Sequence, residues 1–402
     1  MAGAIVKVRD ELAVQADARE ARRLVADRKF EDAYQPLERW LKARPSSAEA
    51  LFLTAKEMFA VNITDQGIMA LERARSQGYP LEEIERQKAI VLSHLGRHHE
   101  AEPVLRRLLL SSSKPDPEAD EALAKCYLET FQLAQAESVI EKWIHDAPGD
   151  AKPHFWKLEL GRKVKAESPV LIDIIQRILQ LDPKSDQAHL ALAEVCLQNH
   201  RLDEAAREYA VVLELEPDTS PAYHGLGVIA MERGDEEGAI RNFERAVKLD
   251  PRNVRPLMER GKLEVGRGRL ESGLTFFDQA MSIDAGEPEV HYQRSLVLTR
   301  LGRTALAKAE QDTSARLRDE REHIQKLLNE MLVAPGDLDH QYDAARWLFE
   351  HGHPEEGLRW TEKILRDQPR HTKTNRLLAD YYEKTGSHGL ANFYQLQAKS
   401  EP

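Results

Sequence analysis

The pattern of apolar and polar residues repeats along the chain about every 34 residues. Residues 186–217 and 220–251 align without a gap, and counting from the first residue of each stretch gives every position a numbered place. Both stretches have a small residue at the eighth and twentieth places, an aromatic residue at the twenty-fourth and a proline at the thirty-second. These residues are Ala193, Ala205, Tyr209 and Pro217 in one stretch and Gly227, Ala239, Phe243 and Pro251 in the other.

This spacing predicts a pair of antiparallel helices in each repeat. Small residues lie where the two helix backbones approach most closely, and the aromatic residue fills the space between helix pairs. The proline helps to end the second helix, because it cannot continue one. A single pair leaves its apolar faces uncovered, so neighbouring pairs must stack. The sequence therefore predicts an all-α solenoid.

The same frame extends in both directions and gives eleven repeats. Their predicted first residues are Val14, Ala48, Glu82, Pro117, Lys152, Asp186, Ser220, Val254, Pro288, Leu338 and Thr372. Small residues occupy the eighth and twentieth places of every repeat except the fifth, which has Glu159 and Leu171 there. We therefore expect the helix pair of the fifth repeat to be splayed or shifted in register.

Two other repeats depart from the pattern. The third ends in residues 111–116, a looser connection than its neighbours have, and the ninth continues as one long helix from Thr304 to about Val333. The extra turns of that helix carry apolar residues on roughly one face, namely Leu317, Ile324, Leu328 and Met331. The long helix is interpreted as a second helix packed on its neighbour, as a joint, or as a self-association surface.

These features divide the chain into four segments. Residues 1–13 form an N-terminal lead-in, and residues 14–319 form the main array of about nine repeats. Residues 320–337 are the helix extension or joint, and residues 338–402 are a C-terminal piece of two repeats.

Composition and charge restrict the classes of partner. The net charge is −11 and no polybasic block occurs. Because nucleic-acid binding needs a positive face, no nucleic-acid partner is predicted. No apolar run reaches about 18 residues, so no membrane span is predicted. Cys126 and Cys196 are far apart and form no CxxC pair, which fits a reducing compartment and indicates core residues. We expect a cytoplasmic protein, or alternatively the soluble part of a longer, membrane-anchored one.

No catalytic chemistry is predicted. The repeats leave no stretch long enough for a catalytic domain, and GxxxxGK[ST], GxSxG and HExxH do not occur. His98 and His99 lie at one turn and His351 and His353 at another, without a third ligand at a sensible spacing for a metal ion. They are interpreted as solvated turn histidines. We expect a protein that is not an enzyme and that uses no cofactor or metal.

The places described above resemble those of the tetratricopeptide repeat family, from about residue 14 to the C-terminus. The resemblance implies a right-handed superhelix whose first helices line a concave groove, with groove positions at the second, fifth, ninth and twelfth places. In repeats five to nine, the predicted partner-binding residues at these places are Trp156, Leu160, Leu190, Leu197, His224, Val228, Met231, Met258, Val265, Tyr292 and Leu296. Charged residues among them are Glu194, Arg255, Lys262 and Glu289.

An apolar strip with scattered charges on a concave wall suits an amphipathic helix or an extended apolar peptide of another protein. Methionines let such a strip adapt to more than one shape. The alternative is that some of these residues only pack against the next first helix. The lysine and asparagine set with which co-chaperone members hold a terminal carboxylate does not occur, and neither does the asparagine ladder of glycosyltransferase-linked members.

The leading hypothesis is an interaction scaffold that holds a partner in the groove and assembles or recruits a complex. One alternative is a regulatory or substrate-recruiting subunit of a separately encoded enzyme. Another is the soluble portion of a membrane-anchored assembly or secretion factor.

Overall fold

The computed structural model describes residues 2–111, 114–333, 337–351 and 353–399, and their side chains except those of residues 2–8, 10, 328 and 331–333. Within these ranges the chain forms 22 α-helices and no strand, which confirms the predicted all-α class. The helices belong to two compact bodies, an N-terminal body (Met1–Ala147) and a C-terminal body (Pro148–Pro402).

Four helical hairpins make up the N-terminal body. They are α1 (Ala2–Ala26) with α2 (Phe30–Ala43), α3 (Ala48–Ala60) with α4 (Thr64–Ser76), α5 (Leu81–His94) with α6 (His98–Ser111), and α7 (Pro117–Glu129) with α8 (Leu133–Asp146).

Seven hairpins make up the C-terminal body. They are α9 (Lys152–Lys163) with α10 (Ser168–Leu181), α11 (Asp186–Gln198) with α12 (Leu202–Leu215), α13 (Ser220–Glu232) with α14 (Glu236–Leu249), α15 (Val254–Gly266) with α16 (Leu270–Ile283), α17 (Pro288–Arg300) with α18 (Thr304–Val333), α19 (Leu338–Glu350) with α20 (Pro354–Asp367), and α21 (Thr372–Lys384) with α22 (His388–Lys399).

The helix starts agree closely with the predicted repeat starts. Nine first helices begin at the predicted residue, and α5 begins at Leu81, one residue before Glu82. The exception is α1, which begins at Ala2, so the predicted lead-in (residues 1–13) is helical from Ala2 onward and continues without a break past Val14. The loose connection of the third repeat falls partly on residues 112 and 113, which lie outside the described residues.

Each body is a stack in which the two helices of a hairpin contact each other and the second helix contacts the next first helix. Neighbouring first helices also contact one another directly: α1 with α3, α3 with α5, and α5 with α7 in the N-terminal body, and α11 with α13, α13 with α15, α15 with α17, and α19 with α21 in the C-terminal body. The first helices therefore form the inner side of each stack.

The aromatic residue at the twenty-fourth place lies against the small residues. A methyl group added to Gly227 would stand 2.4 Å from the ring of Phe243, which is 0% exposed. In the preceding hairpin the eighth place is Ala193, and the ring of Tyr209 lies instead against Gly225 of the next hairpin. The Phe243 ring thus fills the space at a glycine of its own hairpin, whereas the Tyr209 ring fills the space at a glycine of the next one.

In every hairpin whose turn is described in full, that turn contains one residue with a left-handed backbone. Glycine fills this fifteenth place in several hairpins, for example Gly234 with a φ of 77°. Other hairpins have a residue with a Cβ there, for example His200 with a φ of 55°. Such residues adopt this conformation at a cost that glycine avoids.

Replacing His200 by glycine is expected to raise the free energy of unfolding by about 0.5–1 kcal/mol, because relief of backbone strain exceeds the entropy gained by the unfolded chain. The His200 side chain is 80% exposed, and its 3.6 Å contact with Glu232 contributes little. The matched change at the same place, Gly234→Ala, should lower stability by about 1 kcal/mol or more. Urea unfolding checks both, and equal signs for the two variants would contradict the prediction.

The fifth hairpin is shifted in register, one of the two predicted outcomes. Its left-handed residue is Lys165, at the fourteenth place of the predicted frame, and Ala151 already has helical backbone angles. Asp150 accepts a hydrogen bond from the backbone N–H of Lys152 at 2.9 Å, as Asn253 does from Arg255 two residues ahead at 3.1 Å. The frame of α9 therefore starts one residue earlier, and the turn before α10 contains one extra residue.

The long helix α18 has the predicted extent, Thr304 to Val333. The face of α18 that packs against neighbouring helices differs in part from the predicted apolar face. Leu317 and Ile324 are half-buried, and Leu327 is 7% exposed and packs with Ala344. The side chains of Leu328 and Met331 lie outside the described ones. The joint and the self-association surface stay predictions. The boundary between the two compact bodies lies at Ala147 and Pro148, next to the irregular fifth repeat.

The turn histidines are only partly as predicted. His351 and His353 are exposed, and the His99 side chain is 40% exposed, but His98 is buried at 6%. The interpretation of His98 as solvated is therefore wrong. It is the first residue of α6, and four other second helices begin with a large apolar residue: Phe30, Leu133, Leu202 and Leu270. Both cysteines are buried, as predicted: Cys126 is 0% and Cys196 is 1% exposed.

Candidate partner-binding face

The predicted partner-binding residues lie mainly on the inner side of four successive first helices, α11, α13, α15 and α17. We call their second, fifth, ninth and twelfth places the inner strip. Its members are Gln187, Leu190, Glu194, Leu197, Pro221, His224, Val228, Met231, Arg255, Met258, Lys262, Val265, Glu289, Tyr292, Leu296 and Thr299.

Five apolar members of the inner strip are half-buried. Each packs against the core cluster of its own hairpin and keeps part of its side chain at the surface, which leaves a shallow apolar track along the stack. They are Leu190, Leu197, Val228, Met231 and Val265.

The track ends at two exposed side chains on α17. Tyr292 is 36% exposed and Leu296 is 43% exposed. The guanidinium carbon of Arg318, on α18, stands 5.4 Å from the centre of the Tyr292 ring. A cation over an aromatic face holds the ring in place, so this end of the track is defined by the long helix as well as by α17.

Met258 differs from the other members. It is 8% exposed and belongs to the core cluster that contains Leu257 and Phe277. Its side chain offers a partner little surface, since it fills the space between hairpins.

The register of α9 changes which of its residues continue the strip. Leu160 is buried, with 8% of its surface exposed, and Trp156 is half-buried. With the frame started one residue earlier, the fifth, ninth and twelfth places are Phe155, Glu159 and Arg162. Sequence reasoning missed these three. The available signal was the helix cap, because Asp150 is a capping residue and Ala151 is not.

Charged residues of the strip pair with one another and with neighbours. Arg162 lies 2.9 Å from Glu159 and 3.6 Å from Glu194, which joins α9 to α11. Burial raises the pKa of Glu194, and the positive charges of Arg162 and Arg255 oppose this only in part. Lys262 contacts Glu259 at 3.0 Å. The strip therefore alternates apolar side chains with charged ones, and Glu194 and Lys262 among the charged ones are ion-paired.

His224 is a neutral member of the strip. Burial, together with the positive charges of Arg255 and Lys262, lowers its pKa to about 4. Its ring centre lies 5.9 Å from that of Phe243. At physiological pH the imidazole is uncharged and adds a half-buried, weakly polar surface to the apolar track.

Other kinds of site are not seen in the described part of the chain. No group of three or more histidine, cysteine, aspartate or glutamate residues there is arranged to hold a metal ion. None of the described helices is long and apolar enough to cross a membrane.

Comparison with known families identifies the repeat. Family models described as tetratricopeptide repeat match residues 86–151, 172–227 and 220–253. These residues of the chain are tetratricopeptide repeats. The repeat fold is typical of interaction scaffolds without catalytic activity.

Solved structures of other repeat proteins are similar to parts of the chain. One is MamA, with 16% sequence identity and a TM-score of 0.35 over 41% of this chain and 96% of that one. Another is YrrB, described as a TPR protein with an unusual peptide-binding site, with 18% identity and a TM-score of 0.34 over 46% of this chain and 97% of that one. No curated protein matches the chain.

Proposed function

We propose that this tetratricopeptide repeat protein is an interaction scaffold that binds an amphipathic helix or an extended apolar peptide on the inner strip, and so assembles or recruits a complex. The observation that carries the proposal is the set of half-buried apolar side chains on α11, α13 and α15 together with the exposed Tyr292 and Leu296 on α17. Apolar side chains interspersed with charged ones fit the apolar face of an amphipathic helix or an extended apolar peptide. The chain has only two cysteines, which lie far apart in the sequence and form no CxxC pair, and this favours the cytoplasm as the compartment.

The test replaces three apolar side chains of the strip together: Met231→Ala, Tyr292→Ala and Leu296→Ala. Truncation of anchor residues weakens an interface by about 1 kcal/mol or more each, so we expect at least a tenfold loss of partner capture. The measurement is quantitative affinity capture from the native cells, with helix content checked by circular dichroism.

The matched control replaces three exposed apolar residues on second helices of the same body: Val170→Ala, Ile283→Ala and Leu306→Ala. Capture should stay at the wild-type level in this control. If the two triple variants lose the same partners equally, or if neither loses any, the inner strip is not the binding surface.

The captured proteins also separate the scaffold from the alternatives. Several unrelated partners lost together in the inner-strip variant support a scaffold. A single stoichiometric enzyme supports a regulatory or substrate-recruiting subunit instead. A membrane-inserted partner recovered at equal amount supports the soluble portion of an anchored assembly or secretion factor.

A further inference from the structure

The inner side of the N-terminal body has a different chemistry from the inner strip. Three cations from successive hairpins converge on one carboxylate there. Arg28 comes from the turn between α1 and α2, Lys56 from α3 and Arg86 from α5, and Glu118 stands at the start of α7. Asp116, the residue that caps α7, is the second carboxylate of this group.

Arg86 has a close partner in Asp116. Its Nε donates to Asp116 Oδ2 at 2.5 Å, and its Nη2 donates to Glu118 at 3.0 Å. Burial favours the neutral carboxyl, but the hydrogen bonds and charge of Arg86 outweigh it and hold the pKa of Asp116 below its usual range. This pair is the structural part of the cluster.

Arg28 and Lys56 are held much more loosely. Arg28 Nη2 lies 3.4 Å from Glu118 Oε1, and Lys56 Nζ lies 3.7 Å from Glu118 Oε2. Charge-assisted hydrogen bonds between such groups are usually about 2.8 Å long. Neither cation has a shorter ion pair among the described residues, so both point at a carboxylate that does not fully satisfy them.

The cluster carries excess positive charge at a place that solvent reaches. Its three cations face two carboxylates, which leaves a surplus of one in a chain whose net charge is −11. The Arg28 side chain is 58% exposed and that of Glu118 is 33% exposed. Glu49, the carboxylate at the corresponding place of α3, pairs with Arg22 through contacts of 2.6 and 2.7 Å and not with the three cations.

We infer that Arg28, Lys56 and Arg86 form an anion-binding site that Glu118 occupies within the chain and that an acidic segment of a partner protein occupies by exchange. The Glu118 carboxylate belongs to the same chain and therefore has a high effective concentration at the three cations. A single acidic group of a partner protein competes with it poorly. A segment with several adjacent carboxylates gains contacts with Arg28 and Lys56 that Glu118 makes only loosely. This site goes beyond the inner strip and lies in the other body.

The decisive variant is Glu118→Gln, which keeps the shape and hydrogen-bonding capacity of the side chain and removes its charge. The probe is a peptide of four glutamates with capped ends, and the control probe has four glutamines. Titration calorimetry is done at about 0.01 M salt, where the Debye length is about 30 Å. We expect Glu118→Gln to bind the glutamate peptide at least tenfold more tightly than the wild type, and neither to bind the glutamine peptide.

The matched control is Glu49→Gln, which sits at the same place of α3 and pairs with Arg22 only. It should not increase the affinity for the glutamate peptide. Equal affinities of Glu118→Gln, Glu49→Gln and the wild type would overturn the inference and leave the cluster as a brace within the stack.

A second variant keeps the test valid if Glu118→Gln does not fold. Arg28→Gln changes an exposed side chain in a turn, so the fold should be retained. The residual affinity of the wild type for the glutamate peptide should fall at least threefold in this variant. An unchanged affinity would count against the site independently of Glu118.

Discussion

Replacing Glu264 by glutamine is expected to lower the free energy of unfolding by about 3–5 kcal/mol, because it leaves a buried cation without its partner. Glu264 is 4% exposed on α15 and accepts hydrogen bonds from Arg260 at 2.8 Å and from Arg269 at 2.9 Å. Arg260 is 8% exposed, and its only other carboxylate among the described residues, Glu244, lies 3.4 Å away. Arg269 is half exposed and can turn to water.

The matched control is Glu244→Gln. Glu244 contacts the same arginine, but its side chain is 62% exposed, so its loss should change stability by about 1 kcal/mol at most. Urea unfolding combined with amide hydrogen exchange in α15 and α16 measures both variants. Similar losses for the two would show that burial of the pair is not the reason for its contribution.

The pH dependence of the free energy of unfolding provides a second test of the interaction of Glu264 with Arg260 and Arg269. The hydrogen bond from Arg269, and then that from Arg260, lower the pKa of Glu264 to about 2. Because the folded-state pKa is depressed, the stabilisation is complete above the unfolded-state pKa of about 4.5 and is lost as the pH falls toward 2. When the pH is lowered from 6 to 2, the free energy of unfolding of the wild type should therefore fall by up to about 3 kcal/mol more than that of Glu264→Gln. Urea unfolding at both pH values measures this difference.

Gly227→Ala is the second change with a large expected effect, a loss of about 2–3 kcal/mol. The added methyl group would stand 2.4 Å from the Phe243 ring, and this ring is fully buried, so it has no free space to move into. Gly266→Ala is the matched control. It lies at the end of α15 with nothing within 4 Å of an added Cβ, and alanine there should be neutral or slightly stabilising.

A second substitution should rescue Gly227→Ala. The first three hairpins combine alanine at the eighth place with leucine at the twenty-fourth, as in Ala89 and Leu105, and both residues are buried. Gly227→Ala with Phe243→Leu recreates that combination and should recover at least half of the lost stability in thermal and urea unfolding. A double variant less stable than Gly227→Ala alone would mean that the ring is needed for contacts beyond its own hairpin.

Most of the fold was accessible from the sequence because the close approach of two helix backbones admits only small residues. Small residues therefore recur at the same places in most hairpins, and the repeat frame built on them predicts the first residue of helices such as α11 (Asp186) and α13 (Ser220) correctly. In the fifth repeat no small residue occupies the eighth or twentieth place, so the frame there was extrapolated from the neighbouring repeats. It assigned each place of α9 to a residue one position too far along the chain. The polar cap at Asp150 is the local signal that corrects it.

The candidate binding face was harder to predict from the sequence, because burial of a single side chain depends on the hairpin stacked next to it. Met258 and Val265 stand on the same face of α15, yet Met258 is buried and Val265 keeps part of its surface. The periodic pattern assigns both to the inner side and cannot separate them. The converging cations Arg28, Lys56 and Arg86 come from three repeats, so no local pattern brings them together.

The extra residue in the turn after Lys165 shows how this architecture tolerates insertions and deletions. The frame of α9 and the frame of α10 differ by one residue, but α10, α11 and every later first helix keep the predicted phase. The length change is absorbed within one turn and does not propagate along the chain. Turns between helices are thus the places where such a gene can gain or lose single codons while the remaining hairpins keep their contacts.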